Sequence, residues 1–85
     1  MNDVITAHKF CVNNKKELQN DKKCGCFYCL KIFEPTEITR WLNEGNGTAL
    51  CPYCGTDSVI GESSGFPVEN GFLKKMNEYW FNQEN

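Results

Sequence analysis

The chain of 85 residues has the length of one domain, with six cysteines, a single histidine, and nine basic against eleven acidic side chains for a net charge of −2. A core this small is marginal without a staple, and the cysteine content points to one. One histidine leaves no His-Glu-x-x-His hydrolase set, no apolar run approaches the ~18 residues of a membrane helix, and the acidic balance weighs against strong phosphate binding.

Residues 1–12 read as an N-terminal arm of the single domain 1–85. Val4, Ile5, Phe10 and Val12 suit a short strand or extended segment, with His8 and Cys11 within it. The first residues lack the charged-then-apolar pattern of a secretory signal. Reduced thiols are therefore expected rather than a disulfide framework. Asn14-Lys15-Lys16-Glu17 has the form of a helix start, with Asn14 as cap and Glu17 reaching back. The helix would span about residues 15–21 and depend on Leu18 for anchorage.

Two Cys-x-x-Cys pairs follow: Cys26-Phe27-Tyr28-Cys29 and Cys51-Pro52-Tyr53-Cys54. The intervening segment, residues 30–50, runs just past the roughly 15–20 residues usual between the halves of a structural zinc site. Four thiolates in two pairs suit tetrahedral zinc, so Cys26, Cys29, Cys51 and Cys54 are the expected ligands of one Zn2+. Cys24, two residues before the first pair, points away from the chelating loop and is a spare. Its alternative is to replace Cys26. A second site from His8, Cys11 and Cys24 would lack a fourth ligand.

Between the pairs, residues 35–45 are expected to form a helix. Pro35 opens it, Thr36 caps it, and Ile38, Trp41 and Leu42 make an apolar stripe at i, i+3 and i+4. Gly45 ends it and Asn46-Gly47 turns the chain. Thr48-Ala49-Leu50 and Ser58-Val59-Ile60 are expected as strands entering and leaving the second pair, a zinc-ribbon hairpin. Residues 61–67 form a loop. An amphipathic helix follows over about 69–82, with Phe72, Leu73, Met76, Tyr79 and Trp80 on its apolar side. The expected class is a small zinc-stabilised α+β domain with a two-knuckle core, a helix between the knuckles and a C-terminal amphipathic helix.

The stretch from Cys24 to Phe33, Pro35 to Ile38 with Trp41, Thr48 to Gly61, and Phe72 to Phe81 together resemble a family of small bacterial proteins described only as cytoplasmic proteins. The resemblance covers roughly residues 8–81. It implies a cytosolic setting in a bacterium or phage and a four-cysteine zinc-ribbon core. It implies no chemistry.

Four thiolates fill a zinc tetrahedron and leave no position for activating water, so the metal is expected to be structural and the chain not an enzyme. A Cys11–His8 nucleophile pair would lack an orienting group, and the pairs lack a thioredoxin-like βαβ context. The expected role is a cytoplasmic protein-interaction or regulatory module. Tyr79, Trp80 and Phe81 cannot all face one way on a helix, which makes them a candidate partner surface. Residues 9–31 hold six lysines against Glu17 and Asp21. Lys15, Lys16, Lys22 and Lys23 are therefore a second candidate surface. The alternative role is a nucleic-acid-binding zinc ribbon, using these lysines beside Phe27 and Tyr28.

Overall fold

In a computed structural model that describes residues 3–43 and 45–81, three antiparallel strands are the centre of the chain. β1 (Cys24–Cys26) lies between β2 (Ile32–Phe33) and β5 (Val59–Gly61). Its register sets Cys24 opposite both Phe33 and Gly61, and Gly25 opposite both Ile32 and Ile60. Side chains alternate across a strand, so each face of this sheet has its own core. Cys24, Cys26, Phe33 and Val59 join Leu18, Ile38, Ala49 and Cys51 on one side. Ile60 joins Ala7, Cys11, Phe27, Leu73 and Met76 on the other. Gly25 is needed here because a Cβ would come within 2.7 Å of Leu73 Cδ1.

The second face is covered by α1 (Asp3–His8) and α3 (Asn70–Phe81). α1 replaces the expected extended arm. Its β-branched Val4, Ile5 and Thr6 have modest helix propensity, but Val4, Ala7 and Cys11 recur at helical spacing and meet the second cluster. Trp80 Nε1 also donates to the Val4 carbonyl at 2.9 Å. Tertiary packing thus overrides local preference. The chain continues through a 3-10 turn at Lys9–Cys11 into α2 (Lys15–Gln19).

α2 stands where expected, but Asn14 does not cap it with its side chain. The buried Asn14 amide donates to Phe10 O at 3.1 Å and Val59 O at 2.9 Å, and its Oδ1 accepts from Ala49 N at 3.1 Å. It joins the N-terminal segment, β5 and the second sheet at one point.

That second sheet corrects the expected helix between the knuckles. Pro35–Glu37 makes a single 3-10 turn, Ile38 is already extended, and Trp41–Leu42 is β3, paired with β4 (Thr48–Ala49). Ile38, Thr39 and Trp41 are β-branched or aromatic and favour a pleated surface over a helix. Glu44, inside the expected helix, lies outside the described residues. Gly45 and Gly47 both take positive φ in the hairpin loop, which L side chains rarely adopt. Asn13 fastens this loop, its Oδ1 accepting from Asn46 N at 3.3 Å and its backbone N–H donating to Thr48 Oγ1 at 2.9 Å. The expected pairing of the strands flanking Cys51–Cys54 is also corrected. β4 pairs with β3 and β5 pairs with β1, so those two strands belong to different sheets.

α3 forms as expected, residue 82 being outside the described set. Leu73 and Met76 are its buried positions. Among the described residues, no helix is long and apolar enough to cross a membrane.

Candidate metal centre

Each Cys-x-x-Cys pair closes into the same local loop. In the first, Leu30 N donates to Cys26 O at 2.9 Å and Tyr28 N points at Cys26 Sγ at 3.3 Å. In the second, Gly55 N donates to Cys51 O at 2.9 Å and Tyr53 N points at Cys51 Sγ at 3.3 Å. The fifth residue of each loop has positive φ, 80° at Gly55 and 67° at Leu30. Glycine adopts this freely. Leucine adopts it at a cost of about 1 kcal/mol, offset here where Leu30 packs against the second core cluster.

The two loops face one another. Cys26 Sγ lies 3.6 Å from Cys54 Sγ, and Cys29 Sγ lies 3.7 Å from Cys51 Sγ. All four sulfur atoms fall within 4.8 Å of one another. A tetrahedron with metal–sulfur distances near 2.3 Å has edges of about 3.8 Å, so the sulfur arrangement fits a four-thiolate metal site. The sulfur atoms are much too far apart for the ~2.05 Å of a disulfide, and all six cysteines are free thiols.

The four candidate ligands differ in setting. Cys26 and Cys51 are buried, Cys29 is half-buried and Cys54 is exposed. Burial pushes the Cys26 thiol up strongly. Hydrogen bonds from Ser58, Cys29 and Tyr28 oppose that shift. Burial also raises Cys51, against the amides of Tyr53 and Cys54. At Cys54 burial disfavours the anion, but hydrogen bonds from Thr56 and the neighbouring thiols outweigh it and the thiol is lowered. Ser58 is buried with its Oγ 3.0 Å from Cys26 Sγ, placed to donate to a thiolate. Ser58 is the group beside the ligands that motif reading missed. The only sequence signal for Ser58 is a hydroxyl four residues past Cys54.

The other sequence candidates lie elsewhere. Cys24 Sγ faces Phe33 O at 3.6 Å in the first core cluster, and burial lifts its pKa to about 12. Cys11 is in the second cluster, and burial lifts it to about 11. His8 packs against Trp80 with ring centroids 4.1 Å apart and the planes tilted by 40°, and also meets Phe27. Among the described residues, Cys26, Cys29, Cys51 and Cys54 are the one group of side chains placed to hold a metal. The second site and the Cys24-for-Cys26 exchange are not formed.

The aromatic end of α3 divides. Trp80 turns inward, whereas Tyr79 and Phe81 are exposed. Phe81 meets exposed Tyr28 edge-on at 4.9 Å. Phe27 is buried in the second cluster and presents no stacking face. Lys15 lies over the Trp41 ring at 5.4 Å and Lys31 over Tyr53 at 5.4 Å. Lys16, Lys22 and Lys23 are exposed, and the backbone amides of Lys22 and Lys23 both donate to Glu62 Oε1. Comparison with protein-family models, with curated proteins and with solved structures finds no match.

Proposed function

We propose that this chain is a zinc-ribbon-like cytosolic module, held together by one structural Zn2+ on Cys26, Cys29, Cys51 and Cys54, that acts by binding another protein. The observation that carries the reading is the convergence of four sulfur atoms from two matching loops to within 4.8 Å. Zinc would be held by Cys26 and Cys29 from the end of β1 and its following loop and by Cys51 and Cys54 from the segment joining the two sheets, and would tie the two together. Apparent energies of structural zinc sites, about 10–16 kcal/mol, exceed what a small core provides. Four protein thiolates leave no open coordination position, which supports a structural rather than a catalytic role.

The partner surface we favour is the outward side of α3 with the first loop, where Tyr28, Tyr79 and Phe81 are exposed. Aromatic side chains with one wet edge are common anchors of protein interfaces. Affinity capture with the wild-type chain and with a Tyr79→Ala/Phe81→Ala double variant tests this. A partner retained by the first and lost by the second is the expected result, and equal capture by both refutes the surface.

One observation favours a nucleic-acid reading as the second choice. Tyr28 and Tyr53 occupy the same position in the two loops and are both exposed, with Lys31 over Tyr53. A low-salt titration against short single strands decides it, since stacking of that kind should register in the tens of micromolar.

A further inference from the structure

The two loops of the candidate metal centre are alike in hydrogen bonding but not in support. α3 lies against the first and holds its backbone directly. Asn70 Nδ2 donates to Leu30 O at 3.1 Å, and Asn77 Nδ2 donates to Tyr28 O at 3.0 Å. The residues are seven apart, two turns of helix, so both amides project from one side of α3. The carbonyls they hold belong to the loop that carries Cys26 and Cys29. Phe81, one turn past Asn77, then packs on Phe27 and Tyr28. The loop so gripped is also the one with a leucine at the positive-φ position, where its twin has glycine.

We propose that Asn70 and Asn77 are positioning residues that couple the docking of α3 to the retention of metal by the first loop. The inference rests on the metal reading above. With α3 seated, the two amides hold Tyr28 and Leu30 in the conformation that aims the amides of Tyr28 and Cys29 at Cys26 sulfur. With α3 lifted, Leu30 can leave its unfavourable backbone region and the loop opens more readily. Coupling of this kind is reciprocal. A partner that draws α3 away loosens the metal by the same factor by which metal loss loosens α3.

The test measures release of Co2+ or Zn2+ from the full chain into excess chelator, as a first-order rate. Asn77→Ala should keep α3 helical, because alanine is the better helix former, while removing one clamp. Release should quicken about fivefold, the kinetic equivalent of one ordinary hydrogen bond. Asn70→Ala should act similarly, and Asn77→Gln, which restores a donor, should recover much of the wild-type rate. Gly61→Ala is the control for general destabilisation. It crowds Leu18 and Asp21, away from the first loop's backbone, and should leave release within twofold. Equal acceleration by Gly61→Ala and Asn77→Ala would show that release runs through global unfolding and would overturn the clamp. An unchanged rate in Asn77→Ala would also overturn it while leaving the metal reading intact. Failure of the wild-type chain to take up either metal would overturn both.

Discussion

Replacing Asn14 by alanine removes three hydrogen bonds that join the N-terminal segment, β4 and β5. Ala49 and Val59 are fully buried, so their freed N–H and C=O groups have no water to turn to. Three net contributions near 1 kcal/mol, before any desolvation penalty, give an expected loss of about 3 kcal/mol. A simple N-cap lost to alanine costs about 1 kcal/mol. Urea unfolding at fixed metal concentration separates these values, because bound metal would otherwise shift apparent stability. Asn14→Asp sharpens the comparison. Aspartate caps helices as well as asparagine, so a capping role makes this change nearly neutral. In the tether role it removes both donors and sets a carboxylate against the Phe10 and Val59 carbonyls, so it should destabilise at least as much as alanine. A near-neutral aspartate variant with an alanine loss near 1 kcal/mol would refute the tether.

Other consequences follow from the same geometry. Cys26→Ser should abolish stoichiometric metal binding and leave circular dichroism of an unfolded chain, whereas Cys24→Ala and Cys11→Ala should keep metal and lose about 1 kcal/mol from small packing defects. Metal loss in Cys24→Ala would show that the ligand set is wrong. In the metal-loaded protein at pH 8, Cys24 and Cys11, their pKa values raised by burial to about 12 and about 11, should be alkylated far more slowly than after unfolding in urea with chelator, as mass spectrometry of partly labelled protein would read out. Ser58→Ala should weaken metal binding roughly tenfold by removing the hydroxyl beside Cys26, with Ser58→Thr closer to wild type.

The candidate ligands were legible because Cys-x-x-Cys fixes loop geometry locally, whatever the rest of the chain does. α3 was legible because its apolar positions recur at helical period over three turns. The segment between the pairs was not. Ile38, Trp41 and Leu42 satisfy i, i+3, i+4, but so short a pattern also fits a bent extended chain, and Gly45 and Gly47 serve a hairpin as readily as a helix end. The N-terminal segment failed in the opposite direction. Its β-branched residues suggested a strand, and only the α3 surface against which Val4 and Ala7 pack makes it a helix. Asn14 illustrates a further limit. Its local sequence describes a cap, and its partners at Ala49 and Val59 are visible only once the chain has folded.

Metal content is the most direct measure of the account. Protein purified without added metal or chelator should carry one zinc per chain by elemental analysis. Exchange with Co2+ should give the visible absorption of a tetrahedral four-thiolate complex, lost in Cys26→Ser. A folded chain with less than about one-tenth of a metal ion, and no thiolate–cobalt absorption on titration, would contradict it.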